Sequence, residues 1–355
     1  MLYSIQLLRG LAALLVVCTH SIFATISYGN NNSILSSFYN FSEFGAVGVD
    51  IFFVISGFII VYVTQNNNKK FNIFIKERLI RVVPLYWFFL SIMACALIFF
   101  PSAFVNNEFI LSHAIYSFLF LPAYKFDGSI SPLLGVGWTL NYEVFFYVIF
   151  SFSLYISSWK KRFFLVSSIF IMLSCFGIVY QSENPIIYVF TRSLLIEFVF
   201  GMLVAYLFFE SKFLSKKLAT SVLVLSIFLL SLSVIYGVPD KFDTIKFIVW
   251  GIPAFFLVYS LLCLEIHGLK FNNLLIFLGK ISYSLYLSHY FTVRLLSKLF
   301  EKLGGFSIVG HDDIIVLVLM FFSIIVGYLT FRFIEEPLTK YLNCRFIKGK
   351  SVVII

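Results

Sequence analysis

Charge is what this sequence has least of. Only 12% of its 355 residues are Asp, Glu, Lys or Arg, against 61% hydrophobic, and the mean hydropathy is +0.98. Soluble domains carry about twice that share of charge, and a water-soluble fold needs a polar shell that this chain cannot supply. A long polar stretch between the apolar runs is also missing, so one domain is expected although the length would allow two. The five cysteines (Cys18, Cys95, Cys175, Cys263, Cys344) are scattered, with no C-x-x-C pair. That excludes a disulfide framework or a cysteine-based metal site and leaves them as small buried hydrophobes. No A-x-A-like cleavage site follows the first apolar run, which is read as a retained helix and not as a signal peptide. Neither a repeat of solenoid period nor a low-complexity segment is present. No appended soluble domain is expected, because apolar runs use up most of the chain; the chemistry belongs in the membrane or at its faces.

What is present is a series of apolar runs near the length of about 20 residues needed to cross a bilayer. They lie near 8–27, 46–64, 83–100, 134–157, 163–180, 188–209, 219–236, 245–264, 281–300 and 313–333. The net charge of +9 is gathered in short clusters between them: Lys69, Lys70, Lys76, Arg78 and Arg81; Lys160, Lys161 and Arg162; Lys212, Lys216 and Lys217; Lys340, Arg345, Lys348 and Lys350. Starting inside, all four clusters fall on the cytoplasmic face, as the positive-inside rule requires, and a nucleic-acid partner becomes unlooked-for. Polar, less basic loops such as Tyr28–Glu43 and Gly237–Asp243 fall outside, and Asn30–Asn32 and Asn66–Asn68 are short loop caps. The expected fold is an all-α integral membrane protein, a bundle of about ten transmembrane helices with both termini cytoplasmic. Residues 1–340 form a single polytopic membrane domain and 341–355 a short basic cytoplasmic tail. The stretch Phe109–Leu121 is too short to span comfortably and reads as an interfacial or re-entrant helix.

Titratable groups inside a span cost about 2.5–3.5 kcal/mol on insertion scales, so they mark the place to look. They are His20, Asp50, Glu143, Arg192, Glu197, His289 and Arg294, with Arg9 at the inner edge of the first span. Arg9 and His20 are eleven residues apart; at about 100° per residue they share one helix stripe, some 16 Å apart along the axis. An elongated anionic ligand entering from the cytoplasm would meet the guanidinium first and bring its tip to the imidazole. Arg9 also reads as a snorkelling anchor, and His20 as a neutral imidazole bonded to a neighbouring helix. The shared stripe favours a joint role. Counted from Leu134, Glu143 lies about 13 Å below the outer boundary and His20 about 12 Å. Equal depth lets the carboxylate fix the imidazole tautomer, as the acid does in catalytic triads; an interhelical hydrogen bond from a protonated Glu143 is the other reading. Asp50 lies shallower in Gly48-Val49-Asp50-Ile51-Phe52-Phe53-Val54-Ile55-Ser56-Gly57, where the small residues permit close approach, and pairing with an arginine is as good a role for it as catalysis. Arg78 and Arg81 share a face ahead of Pro84, a natural helix-entry residue. They suit phosphate, although a positive-inside cluster would also explain them.

Several blocks resemble the membrane acyltransferase-3 family of bacterial O-acyltransferases acting on exopolysaccharide, lipopolysaccharide and related glycans. Arg9 through His20 is similar to its R-x10-H signature and Gly48–Gly57 to its G-V-D-x-F-F-x-I-S-G segment. Phe74–Tyr86 (FIKERLIRVVPLY) resembles its F-x-x-x-R-x-x-R-x-x-P-x-Y loop, with Lys76-Glu77 before Arg78 a mild departure, as Ile59-Ile60 is after Phe58. Trp138-Thr139-Leu140 with Glu143 and Tyr147 resembles its W-[ST]-L-x-x-E-x-x-[FY]-Y element; Ile281–His289 (ISYSLYLSH) and Phe333–Pro337 (FIEEP) resemble the later blocks. Each block is weak alone, but six in family order over essentially the whole chain are specific.

The resemblance implies about ten spans in the bacterial cytoplasmic (inner) membrane and acetyl-CoA, or another acyl-CoA, as cytoplasmic co-substrate, with no bound cofactor and no metal. It implies Arg9, Arg78 and Arg81 as contacts to the CoA phosphates and His20 as the catalytic imidazole; the depth count adds Glu143 beside His20, and Asp50, Ser56, Trp138 and His289 are read as site support. The partners are then acyl-CoA, a carbohydrate acceptor (polysaccharide or lipid-linked glycan) and the lipid bilayer. Some members carry an added periplasmic hydrolase-like domain, and this chain looks closer to the short polysaccharide O-acetyltransferases without one. His20, oriented by Glu143, would take a proton from a sugar hydroxyl attacking the thioester, with an acyl-histidine as the variant route. The rival is a transporter or flippase of a lipid-linked sugar, for which intramembrane charges are also expected; it would move substrate without consuming acyl-CoA.

Overall fold

Apolar runs in lipid have one local solution, because every backbone donor and acceptor must be satisfied within the segment or against its neighbours. The computed structural model describes residues 2–29, 43–65, 69–101, 108–237, 239–309 and 311–347, and these are helical apart from turns, connecting segments and a single isolated bridge between Tyr124 and Ile130. Among the described residues, eight helices are long and apolar enough to cross a membrane: Tyr3–Tyr28, Val47–Gln65, Phe71–Phe99, Trp159–Val179, Pro185–Phe209, Lys216–Tyr236, Phe247–Ile266 and Asp312–Phe346. The protein is a multi-pass, all-helical membrane protein.

In chain order the helices are α1 (Tyr3–Tyr28), α2 (Val47–Gln65), α3 (Phe71–Phe99), α4 (Leu111–Phe118), α5 (Trp138–Ser153), α6 (Trp159–Val179), α7 (Pro185–Phe190), α8 (Leu195–Phe209), α9 (Lys216–Tyr236), α10 (Ile252–Ile266), α11 (Asn273–Lys302), α12 (Gly305–Val309), α13 (Asp312–Thr330) and α14 (Glu336–Phe346). All ten expected runs are helical. Two of them fall outside the set of eight for different reasons: α5 has 16 residues, and α11, at 30 residues, is long enough but carries a polar series from Lys280 to Arg294. Ser158, Asn184, Ser215 and Asn272 cap the starts of α6, α7, α9 and α11 by accepting backbone N–H bonds, the usual role of such residues.

Some boundaries differ from expectation. α3 starts at Phe71, twelve residues before the expected run, so Arg78 and Arg81 stand on a continuous helix and Pro84 lies in its interior and not at its entry. The run expected at 188–209 is broken between α7 and α8, where Arg192 donates to the carbonyls of Tyr188 (2.9 Å) and Gly177 (2.8 Å) and to Gln181 (3.2 Å). That arginine satisfies carbonyls at the ends of α6 and α7 and lies 4.1 Å from the centre of the Tyr188 ring. The 109–121 stretch contains only the eight-residue α4 and does not span. The Asn30–Asn32 and Asn66–Asn68 caps, most of the loop 28–43 and residues 348–355 of the expected tail lie outside the described residues.

What positions the site is close packing around α1, which runs beside α2, α11 and α13. A Cβ on Gly279 would lie 2.0 Å from the Gln6 carbonyl oxygen, and one on Gly10 would lie 2.9 Å from the Gly279 nitrogen. Small residues at both positions let the backbones of α1 and α11 touch, the usual packing device within a bilayer. Gly10 meets Gly279, Arg9 meets Ser282 and His20 meets His289, so the two helices run parallel and in step.

Ahead of α5 the chain enters the bundle as irregular backbone that ends in a single 3-10 turn, Gly135–Gly137. Leu133, Leu134 and Val136 are buried there, and side chains satisfy the exposed backbone. Ser117 Oγ accepts from the Leu133 N–H (2.9 Å), Tyr286 donates to the Val136 carbonyl (2.8 Å) and His113 donates to that of Ser131 (2.9 Å). Irregular backbone at this depth is tolerated because it is enclosed by protein.

Candidate active site

Two cavities open along the Arg9–His20 stripe of α1. The first, about 90 Å³, has Arg9 from α1, Arg78 and Arg81 from α3, Ser56 from α2, Glu143 and Tyr147 from α5, and Ser282, Tyr283 and Tyr286 from α11 in its wall. The Arg78/Arg81 pair is delivered to one side by i,i+3 spacing. Glu143 and Tyr147 share a helix face at i,i+4, and the Tyr147 hydroxyl donates to the Glu143 carboxylate, which also accepts from Ser56 (3.1 Å). Arg9 donates to Ser282 (3.1 Å) and faces Arg81, Glu335 and Glu143 electrostatically. Arg78 lies 5.8 Å from the centre of the Phe74 ring, and its Nε is buried without a hydrogen-bond partner. Three guanidinium groups thus converge on one small apolar-walled chamber, with Glu143 as the acid in its wall and Glu335, bonded to Ser284 (2.5 Å), just behind. Concentrated positive charge in a low-dielectric recess favours an anion such as phosphate.

The second cavity, about 160 Å³, is formed by Thr19 and His20 from α1, Gly135, Val136 and Trp138 at the entry of α5, and Tyr286 and Tyr290 from α11, among others. Val49 and Tyr286 belong to both walls, so the chambers are separated by one layer of side chains. Tyr286 is held there by its hydroxyl, which bonds to Thr139 (2.9 Å) and Val136 O (2.8 Å).

The His20 imidazole is oriented by its own helix. Nδ1 lies 2.9 Å from the carbonyl oxygen of Val16. A carbonyl only accepts, so the bond places the proton of the neutral ring on Nδ1 and leaves a lone pair on Nε2. His289 repeats the arrangement, with Nδ1 3.2 Å from Leu285 O and Nε2 buried without a partner. The two rings meet edge to face, centroids 4.9 Å apart at 68°.

The expected contact between Glu143 and His20 is not made. Glu143 bonds to Ser56 and Tyr147 in the arginine chamber, while His20 contacts Val16 and His289. The depth count failed because it began at Leu134. That residue is already buried inside the bundle on the irregular segment, so α5 starts deeper and carries Glu143 down to the level of Arg9. The tautomer-fixing role assigned to a carboxylate belongs to the Val16 carbonyl.

Asp50 pairs with Lys246 (3.3 Å) and not with an arginine. Its neighbour Val49 lines both cavities, whereas Asp50 faces away, toward Glu197 of α8 and the π turn Phe247–Gly251. Lys246 stands at that turn, fully buried beside Trp138 and Trp250. Ser56 and Trp138 each line a cavity, and Arg294 donates to the Tyr290 hydroxyl (3.4 Å).

Sequence reasoning singled out His289 in α11 but missed Ser282 and Tyr286, which precede it on the same face. Spacing of i, i+4 and i+7 from Ser282 was the available signal. Lys246 was missed because it sits at the end of an apolar run and reads as a loop charge.

Comparison with known proteins identifies the family. The family model described as an acyltransferase domain matches residues 2–332. The exopolysaccharide production protein ExoZ of Rhizobium meliloti (strain 1021) is 30% identical over 300 residues, covering 83% of this chain and 90% of that protein. The O-acetyltransferase OatA of Staphylococcus aureus, in strains NCTC 8325 / PS 47 and COL, is 26% identical over 332 residues, or 83% of this chain and 53% of theirs. The chain spans about half the length of those OatA proteins. No solved structure matches. Every residue that lines either cavity lies within the matched region, and the chain belongs to the acyltransferase-3 family as a membrane-embedded acyltransferase.

Proposed function

We propose that the protein transfers an acyl group, acetyl first among the candidates, from cytoplasmic acyl-CoA to a hydroxyl of a cell-surface or exported carbohydrate, with His20 as catalytic base. The observation that carries this reading is the pair of adjoining chambers along α1, one walled by arginines and the other by an imidazole with an unprotonated Nε2. CoA supplies the matching ligand: phosphates at one end and a thioester at the end of a narrow arm. Arg9, Arg78 and Arg81 hold the phosphates, and the arm passes between Val49 and Tyr286. His20 Nε2 then removes the proton of the sugar hydroxyl while its oxygen attacks the thioester carbonyl. The carbon–sulfur bond breaks, and the departing thiolate recovers the proton as CoA thiol. Glu143 takes no part in the proton transfer; with Tyr147 and Ser56 it balances the arginine charge.

The setting is the bacterial cytoplasmic membrane, with both termini inside and the arginine chamber toward the cytoplasm. In support, α1 and α11 run parallel, as the first and ninth of ten spans must. ExoZ, by name, serves exopolysaccharide production and OatA is an O-acetyltransferase, which supports a carbohydrate acceptor.

The test is reconstitution of the purified protein in lipid vesicles with labelled acetyl-CoA and candidate glycans, followed by identification of the product linkage. His20→Ala should lower turnover by about 10²–10⁴-fold while the unfolding midpoint in detergent stays near wild type. Wild-type turnover in that variant would remove His20 from the mechanism. Sugar movement without consumption of acetyl-CoA would replace the enzyme reading with a transporter.

A further inference from the structure

The end of the bundle where the His20 cavity lies carries a cluster of cations that donor binding does not use. Lys241, between α9 and the π turn, places Nζ 4.7 Å from the Phe242 ring centroid and 5.7 Å from that of Trp138, and donates to Ile130 O (2.8 Å). Trp138 is part of the His20 cavity wall, so Lys241 stands one side chain behind it. Across the cavity Arg294 donates to Tyr290, another wall residue. Lys125, on the turn closed by the Tyr124–Ile130 bridge, is within electrostatic reach of both Arg294 and Lys241. The acid of this turn, Asp127, is engaged by the Ser129 backbone N–H (2.9 Å) and hydroxyl (2.6 Å). Among the described residues, neither Lys125 nor Lys241 forms an ion pair.

Like charges gathered at a half-buried site oppose folding unless something compensates them. Burial, reinforced by Lys125, brings the Lys241 ammonium down to about 8, and burial also lowers that of Lys125, in both cases against the opposing pull of Asp127. Asp127 is the one carboxylate acting on both lysines, and it offsets their charge only in part, so the cluster keeps a net positive charge beside the His20 cavity. Clefts lined by one sign of charge concentrate ligands of the other. Aromatic walls such as Trp138 suit the apolar face of a sugar ring.

We propose that the acceptor is an anionic carbohydrate. Its negative group, a carboxylate on the sugar or the pyrophosphate of a lipid-linked glycan, is held by Lys125 and Lys241 while a ring packs on Trp138 and offers its hydroxyl to His20. This rests on the acyl-transfer reading above and adds the chemical class of the acceptor.

The experiment uses the reconstituted full-length protein with acetyl-CoA and three acceptors: a neutral oligosaccharide, the same oligosaccharide carrying a uronic acid, and the neutral one on a lipid pyrophosphate. Wild type should favour one or both charged acceptors over the neutral one by ~10-fold or more in kcat/KM, the size of one charge-assisted contact. Which charged acceptor is preferred tells carboxylate from pyrophosphate. Lys125→Gln and Lys241→Gln should each bring the ratio toward one through KM for the charged acceptor, with Lys241→Arg restoring it. Lys216→Gln, at the start of α9, should leave the ratio unchanged. Transfer to all three acceptors with equal kcat/KM would overturn the inference and leave the acyl-transfer reading standing; transfer to none would sink both.

Discussion

Gly279→Ala is a one-methyl probe of whether the contact between α1 and α11 sets the active site. A Cβ at Gly279 would lie 2.0 Å from the Gln6 carbonyl oxygen, about 1.4 Å inside ordinary van der Waals contact. The obstacle is main chain and not the end of a flexible side chain, so relief requires the helices to part by on the order of 1 Å. Overpacking of this kind costs about 1–3 kcal/mol. On the proposed mechanism the separation acts directly on the chemistry, because Arg9 is held by Ser282 at 3.1 Å and His20 abuts His289 at a centroid distance of 4.9 Å across the same contact. Parting by 1 Å breaks the first and loosens the second. Misplacement on that scale lowers rates by about 10²-fold.

A second overpacked glycine separates the two effects. Gly177→Ala puts a Cβ 2.0 Å from the Thr191 carbonyl oxygen, where α6 meets the break between α7 and α8, and neither residue lines the arginine chamber or the His20 cavity. Thermal unfolding in detergent should show comparable losses for the two variants. Acetyl transfer, normalised to folded protein, should fall about 10²-fold for Gly279→Ala and stay at the wild-type level for Gly177→Ala. Equal turnover in the two variants would refute the claim that this helix contact positions the site.

Two further substitutions probe assignments that differ from simple expectation. Glu143→Gln keeps the shape that bonds Tyr147 and Ser56 but removes the acid from the arginine chamber, so KM for acyl-CoA should fall by roughly 2–5-fold as the chamber becomes more positive, with the pH profile of kcat unmoved. A fall in kcat near 10⁴-fold, the loss when a triad acid is neutralised, would restore Glu143 as partner of His20. Lys246→Met leaves Asp50 and Glu197 buried without their cation and should destabilise the fold by about 3–5 kcal/mol, part of which Asp50→Asn added to it should recover; an unchanged midpoint in thermal unfolding would show that the pair is not stabilising.

The helices were legible in the sequence because bilayer length and hydropathy act on each run separately. The same holds for the Arg9–His20 stripe, which depends only on helical periodicity within α1. Contacts between helices were less legible, and Glu143 shows why. Its depth was counted from the point where hydropathy rises, but the segment before α5 enters the bundle as irregular backbone, and its burial depends on Ser117, Tyr286 and His113 from other parts of the chain. Nothing local to 131–137 announces those partners. Lys246 was obscured in the complementary way: its counter-charge is about 200 residues distant along the chain, and only the packing of α2 against the π turn brings the two together.

On the proposed mechanism, the orientation of His20 by Val16 bears on why donor binding and proton transfer can occupy one helix stripe. A carboxylate partner placed at the imidazole would add negative charge to the cavity that receives the acceptor and repel an anionic substrate. A backbone carbonyl fixes the tautomer with no net charge, and the acid that could have served is kept among Arg9, Arg78 and Arg81, where it offsets cations. Among the described residues, no carboxylate lines the His20 cavity, whereas Glu143 lines the arginine chamber. On the proposed reading the acceptor end keeps a pair of imidazoles with lysines nearby, an arrangement in which acyl donor and anionic acceptor would each meet a field that draws them in.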